Sequence, residues 1–79
     1  MIKENMTPVD KNYQRAIYFY ENKIPVHIKK SNGTIFNGLL KEPNPKTIEI
    51  NDRFTGNQTV FLFDIEGEIS IFIDKGDYI

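Results

Sequence analysis

The apolar pattern changes its period once, near Pro25, and this change constrains the fold more than any other feature of the chain. Before Pro25, apolar residues recur at the spacing of one helical face. After it, they alternate with polar residues, as in a strand that has one face in a core. Proline disfavours helical geometry at the preceding residue, so the helix is expected to end near Asn22. The sequence therefore predicts one N-terminal helix followed by strands.

The predicted helix covers residues 8–22. Thr7 can cap it, and Pro8 occupies the first helical position, where its missing N–H has no partner to lose. Amide and charged residues such as Asn12 are placed on the solvent face, and Tyr18 is free on the outside. The residues predicted to face the core are Val9, Tyr13, Ala16, Ile17 and Tyr20.

Five short strands are predicted to follow. Asn32-Gly33, between two strand-like runs, is a strong hairpin signal, because both central residues of such a turn need positive φ. Gly38, in the middle of the second strand, favours a bent strand. The predicted fold is mainly β: an N-terminal helix followed by a five-stranded, strongly bent antiparallel open barrel, forming a single domain over residues 1–79. The predicted strands cover residues 24–30, 34–42, 47–52, 58–63 and 68–73.

The fourth predicted strand is apolar on both faces. Val60 and Leu62 would face one side, and Phe61 and Phe63 the other. A chain of 79 residues has one modest core, and a short helix covers only part of a second apolar face. An uncovered apolar strand promotes aggregation, so we expect Phe61 and Phe63, together with Phe72 of the last strand, to lie at a subunit interface.

Composition excludes several classes of function. With no cysteine and one histidine, the chain has no disulfide, thiolate or histidine-cluster site, so no metal and no cofactor is expected. A net charge of −1 and a pI near 5.7 exclude a polycationic nucleic-acid binder. The sequence has no apolar run of about 18 residues and no apolar segment of a secretory signal, so we expect a cytoplasmic protein with no membrane partner.

No residue combination indicates catalysis. His27 lies on the outward side of the first predicted strand, and no nucleophile or carboxylate is marked beside it. The turn from Asp52-Arg53 to Gly56 could hold an anion, but a simple hairpin connection is the preferred interpretation. We therefore expect no catalytic residue and no enzymatic activity. Four lysines could form a basic rim, although solubility is the preferred explanation of their presence: Lys29, Lys30, Lys41 and Lys46.

The segment Val26–Leu40 resembles the first half of the Sm-like (LSm) domain, a small SH3-like β-barrel. In that family, a strand, a turn and the pattern x-x-x-G-x-L lead into a bent second strand, as they do here at Gly38-Leu39-Leu40. The order of a helix and five strands, ending in two apolar strands, is also similar, and the resemblance covers residues 8–73. It implies a homo-oligomeric ring, usually of six or seven subunits, in which the fourth strand of one subunit pairs with the fifth of the next. It also implies binding of single-stranded, uridine-rich RNA in the pore.

The resemblance places the RNA-binding positions in two loops. Asn44 stands where the family has an aspartate, and Thr47 where it has an asparagine. Pro45 or Lys46 replaces the stacking side chain between them. In the second motif the glycine is kept, as Gly67, but Glu66 replaces the family's arginine and reverses its charge. The candidate RNA-binding residues are Asn44, Lys46, Thr47 and Gly67.

The sequence thus leads to two hypotheses from different classes. The first is a non-enzymatic Sm-like protein that forms a homo-oligomeric ring and binds single-stranded RNA. The second is a small-barrel scaffold or protein-interaction subunit without RNA binding, which the replaced arginine and stacking residue favour.

Overall fold

The protein was analysed as a computed structural model, which describes residues 6–73. The described chain consists of one helix, five strands and a short 3₁₀ turn, with all neighbouring strands antiparallel. The sheet has the order β4-β3-β2-β1-β5 and is not closed. This architecture confirms the predicted fold class. The elements are α1 (Pro8–Glu21), β1 (Val26–Lys29), β2 (Ile35–Leu40), β3 (Thr47–Asp52), β4 (Gly56–Phe61), the 3₁₀ turn (Leu62–Asp64) and β5 (Ser70–Ile71).

Helix α1 begins with a capping box. The Thr7 hydroxyl accepts a hydrogen bond from the Asp10 N–H at 3.1 Å, and the Asp10 carboxylate accepts one from the Thr7 N–H at 3.3 Å. The helix ends one residue before the predicted boundary, and Asn22 donates from its backbone and its side chain to the carbonyl of Tyr18. These local interactions satisfy backbone groups that the helix ends leave unpaired.

The buried face of the helix agrees in part with the predicted one, since Ala16 is buried and Tyr13 packs against the core as expected. Phe19 is buried, whereas Tyr20 is 37% exposed and belongs to the surface. Asn12, predicted to face solvent, is also buried, because it bonds a loop that leads into β5. The spacing from Asn12 through Ala16 to Phe19 fits a helical face as well as the predicted spacing does.

The core lies between the concave face of the sheet and helix α1. Val26 and Ile28 of β1, with Ile48 and Ile50 of β3, show the alternation expected of strands with one buried face. Val9, Tyr13, Ile24 and Ile65 pack around its margin. The buried core residues are Ala16, Phe19, Val26, Ile28, Phe36, Leu40, Ile48, Ile50, Val60, Leu62 and Ile69.

Gly38 lies in strand β2, close to the backbone of β3. It pairs with Val26 on one side and with Asp52 on the other. A Cβ atom built at this position would lie 1.9 Å from the carbonyl oxygen of Asn51, inside van der Waals contact. The position therefore requires glycine because of the close approach of the backbones.

The last two strands differ from their predicted bounds: β4 is shifted by two residues, and β5 is shorter than the predicted 68–73. Strand β4 starts two residues earlier than predicted, because the connection from Asp52 to Gly56 is a tight turn, and it ends at Phe61. The chain then crosses the end of the barrel and pairs with the end of β1, through an Ile65–Lys30 bridge and a Glu66 N–H to Lys29 carbonyl bond of 2.7 Å. This crossing leaves β4 and β5 as the two edges of the open sheet.

Candidate functional site

The β4 edge carries a pair of stacked phenylalanines. The ring centroids of Phe61 and Phe63 are 5.3 Å apart, and the planes differ by 28°. Phe61 faces outward because its neighbour Val60 faces the core. The 3₁₀ turn then returns Leu62 to the core, with its N–H donated to the carbonyl of Lys46 at 2.9 Å. Phe63 is consequently directed out again.

Nothing among the described residues covers these rings fully. Phe61 remains 51% exposed and Phe63 74% exposed. From the helix, Val9 lines a groove together with the two rings, Pro45 and Lys46. We call this surface the β4 patch. The expectation that Val60 and Leu62 enter the core while the two phenylalanines do not is confirmed.

The β5 edge carries a second apolar surface. Ile71 of β5 is 53% exposed and Tyr18 of the helix is 57% exposed, and both line a groove with Arg15 and Phe19. We call this surface the β5 patch. The Arg15 side chain donates from Nε to the carbonyl of Ile69 at 2.6 Å, so it attaches the helix to the residues that lead into β5.

Phe72 lies apart from the β4 patch. It is half-buried, its N–H is donated to the carbonyl of Pro25 at 2.9 Å, and the guanidinium carbon of Arg53 lies 5.2 Å from its ring centroid. The three phenylalanines predicted for an interface therefore occupy two places in one subunit. Phe61 and Phe63 are together at the β4 edge, and Phe72 follows β5. Their role in a subunit interface stays a prediction.

The loop between β2 and β3 brings three of the four candidate RNA-binding residues together. Asn44 Oδ1 accepts hydrogen bonds from the N–H groups of Lys46 and Thr47, both at 2.8 Å, and Asn44 Nδ2 donates to the Thr47 hydroxyl at 2.9 Å. The Asn44 side chain thus holds the loop in shape with both its polar atoms. The Lys46 side chain lines the β4 patch.

Gly67 lies in the connection to β5 and is fixed from the helix. Its φ of 74° is in the left-handed region, and its carbonyl accepts a hydrogen bond from Asn12 Nδ2 at 3.0 Å. Within residues 6–73, no hydrogen bond joins Gly67 to Asn44, Lys46 or Thr47.

Two of the four lysines considered for a basic rim are paired with acids of the crossing segment. Lys29 Nζ lies 3.8 Å from Glu66, and Lys30 Nζ lies 3.6 Å from Asp64. Ser31 donates its hydroxyl to the same Asp64 carboxylate. These pairs reduce the positive potential that the lysines would otherwise present.

The turn considered for an anion is occupied by a carboxylate of the chain itself. Asp52 is buried and accepts hydrogen bonds from the N–H groups of Asn37, Phe54 and Thr55 and from the Thr55 hydroxyl, at 2.8–2.9 Å. Burial would raise the pKa of this carboxyl, but the hydrogen bonds outweigh it and lower the pKa to about 2. The amides of the turn therefore already bind the carboxylate of Asp52, and the turn serves as the connection of the β3–β4 hairpin.

His27 is half-buried on the outer face of the sheet. Its Nδ1 donates to Asn37 Oδ1 at 2.7 Å, and its cross-strand neighbour on the other side is Ser70. Among the described residues, no hydrogen bond joins the histidine to the serine hydroxyl or to a carboxylate. The sequence correctly placed His27 on the outward side but could not identify Asn37, because the pair depends on strand register.

The sequence reasoning missed three residues that shape these surfaces. Asn12 and Arg15 were assigned to the solvent face of the helix, yet both bond the segment before β5. Nothing local marks such partners, since they are more than fifty residues away along the chain. Phe54 could have been identified, because a phenylalanine in a turn-rich segment has no strand or helix to bury it.

Within residues 6–73, no helix is both long and apolar enough to cross a membrane. Neither family models, curated proteins nor solved structures give a significant match to this chain. The Sm-like resemblance consequently remains a prediction from the residues of Val26–Leu40.

Proposed function

We propose that this chain is a non-enzymatic, cytoplasmic protein of the Sm-like kind that assembles head to tail into a homo-oligomeric ring and binds single-stranded RNA. The observation that carries the proposal is the pair of apolar patches on the two opposite edges of one open sheet. Residues exposed in one subunit are then covered by the next.

The position of the patches favours a ring over a symmetric dimer. The β4 patch is aromatic, whereas the β5 patch combines Ile71 with Tyr18, so the two edges differ in shape and chemistry. Contact between two different surfaces is head to tail and forms a ring if the rotation between subunits closes. Pairing β4 of one subunit with β5 of the next would also satisfy the backbone groups that both edges leave open. The Sm-like resemblance implies the same pairing.

The RNA part of the proposal is supported by the loop that holds Lys46. The lysine is exposed, and its loop is kept in one conformation by Asn44. A cationic side chain on a rigid support suits the phosphates of a single strand. In a ring, this loop would recur once per subunit, so that weak contacts add along one RNA.

The RNA proposal is tested by titrating fluorescently labelled oligouridine at two salt concentrations. We expect binding at low salt that weakens as salt rises, because phosphate contacts release counterions. Lys46→Gln should weaken binding and reduce the salt dependence, whereas Lys11→Gln, on the exposed face of the helix, should change neither. An intact oligomer that does not bind oligouridine at low salt would refute the RNA part.

A second candidate function is a scaffold or protein-interaction subunit of the same assembly without RNA binding. It is favoured by the Asn44 side chain, whose amide is used within its own loop, and by Glu66, an acid in the second motif. The ratio of absorbance at 260 and 280 nm of the freshly purified protein separates the two. A high ratio indicates co-purified RNA and contradicts this candidate.

A further inference from the structure

Phe54, at the tip of the β3–β4 hairpin, is the most exposed large apolar residue that the structure describes. Its side chain is 82% exposed, more than either ring of the β4 patch. It belongs to neither patch on the sheet edges, so the proposed ring does not account for it. A single exposed apolar side chain is common on protein surfaces, so a binding role for Phe54 depends on how its backbone is held and on what lies beside the ring.

The backbone at Phe54 is held by a dense set of hydrogen bonds. The Asp52 carboxylate accepts the N–H of Phe54 and the N–H and hydroxyl of Thr55, each at 2.9 Å. Gly56 follows with a φ of 82° and closes the turn back into β4. The ring is therefore presented from a rigid support, which reduces the ordering that a ligand would have to impose.

Arg53 links the exposed ring to a groove. Its guanidinium carbon lies 5.2 Å from the ring centroid of Phe54 and 5.2 Å from that of Phe72, both within the range of cation–π interactions. The groove runs between Arg53 and Phe72 and is lined further by Pro25, Leu39 and Asn51. The surface thus combines flat aromatic and guanidinium faces with a positive charge and the exposed amide of Asn51.

We propose that this tip is a base-stacking site for single-stranded nucleic acid. One base stacks on the free face of Phe54, the guanidinium of Arg53 supports the stack and attracts the phosphate, and Asn51 offers hydrogen bonds to a base edge. A nucleic acid fits better than an apolar protein segment, because such a segment would remove the exposed Asn51 amide from water without supplying hydrogen bonds to it. The inference rests on the proposed RNA binding and adds a site separate from the Lys46 loop.

The test uses the fact that the chain has no tryptophan. Phe54→Trp introduces a single indole reporter, and stacking of a base on it should quench its fluorescence in a saturable way during titration with oligouridine or oligoadenylate. Phe54→Ala should weaken binding of the same labelled oligonucleotides by roughly 5- to 100-fold, from the usual effect of removing one stacked base. Phe54→Tyr keeps a flat ring and should retain wild-type affinity.

Ile35→Ala is the matched control, because Ile35 is a second exposed apolar residue, 49% accessible, on another part of the sheet. It should leave affinity within about twofold of wild type, since it removes no stacking surface. Circular dichroism and the oligomer mass should be the same for all variants.

Wild-type binding that Phe54→Ala leaves unchanged overturns this inference and leaves the RNA proposal standing. Absence of binding by the wild type overturns both. Quenching of the indole by a protein or by anionic lipid vesicles, and not by oligonucleotides, also overturns the inference.

Discussion

Gly38 is the residue at which a single added carbon atom should be most damaging. The Cβ of an alanine would lie 1.9 Å from the Asn51 carbonyl oxygen, which is backbone and cannot rotate away. Strands β2 and β3 would have to separate, so we expect Gly38→Ala to reduce the free energy of unfolding by about 3 kcal/mol or more. Urea denaturation followed by circular dichroism, at matched protein concentration, measures the loss.

Gly33→Asn is the control for Gly38→Ala. No atom lies within 4 Å of a Cβ at Gly33, and asparagine tolerates positive φ better than other residues with a side chain. Gly33→Asn should therefore reduce the free energy of unfolding clearly less than Gly38→Ala does. A Gly38→Ala protein with the urea midpoint of the wild type would contradict the close approach of β2 and β3.

Asp52 gives the protein a defined dependence on acid. Its carboxyl has a pKa of about 2 in the folded state, against an ordinary value of 3.8. Because the folded pKa is the lower one, its contribution is fully present well above pH 3.8 and is lost as the pH falls through 3.8 towards 2. A difference of this size corresponds to about 2 kcal/mol. Asp52→Asn should therefore be destabilised at pH 7 and approach the wild type near pH 2.

Urea midpoints at pH 7 and at pH 2 measure the Asp52 effect. Glu42→Gln changes a carboxylate in an exposed loop and should leave the midpoint unchanged at both pH values. If the stability difference between Asp52→Asn and wild type is the same at both pH values, then the ionised carboxylate does not close the hairpin.

At the scale of elements, helix α1 holds β5 in place through Asn12. This buried side chain donates to the Gly67 carbonyl and accepts from the Ile69 N–H, both at 3.0 Å. Asn12→Ala would leave these two backbone groups without their partners, so we expect it to reduce the free energy of unfolding by about 2–4 kcal/mol. Because β5 is only two residues long, hydrogen exchange should accelerate first at the Ile69 and Phe72 amides.

Asn22→Ala is the matched control for Asn12→Ala. Asn22 is exposed, and within residues 6–73 its side chain bonds the nearby Tyr18 carbonyl, at 2.8 Å, so Asn22→Ala should reduce the free energy of unfolding by less than about 1 kcal/mol. Exchange near β5 that is equally fast in the two variants would show that the helix does not hold this strand.

The elements also show how far the sequence could predict the fold. Alternation placed Val60 and Leu62 in the core correctly, because a 3₁₀ turn after β4 returns Leu62 to the side where a continuing strand would have placed it. The sequence could not reveal this 3₁₀ turn, because the apolar pattern is the same with the turn as with a continuing strand. On the helix, Phe19 and Tyr20 are both apolar, so periodicity alone could not select the buried one. The burial of Asn12 depends on partners brought close only by the complete fold.

Candidate sites were less predictable than the strands. Asn44, Lys46 and Thr47 are neighbours in sequence and so were bound to share a loop, but the use of the Asn44 amide within that loop is a matter of side-chain geometry. The tip at Phe54 becomes a candidate only when Arg53 and Phe72, from separate parts of the chain, are placed together.

At the scale of the whole molecule, the open sheet with unlike edges is the feature that the proposed assembly explains. Burial of one phenylalanine contributes about 1.5–3 kcal/mol, so replacing both rings of the β4 patch should remove several kcal/mol from each contact between subunits. We expect the double variant Phe61→Ser with Phe63→Ser to dissociate at protein concentrations where the wild type stays assembled. Phe54→Ser, which removes a still more exposed ring away from both edges, should stay assembled. Sedimentation velocity compares the three proteins, and equal sedimentation would place the contact elsewhere.

The most direct test of the assembly is the mass of the wild-type protein in solution, measured by light scattering during size-exclusion chromatography. The chain has a mass of 9.2 kDa. The proposed ring predicts one species of constant mass, a whole-number multiple of 9.2 kDa and several times that value, over a wide range of protein concentration. A mass of 9.2 kDa throughout that range would contradict both the ring and the proposed covering of the two apolar patches.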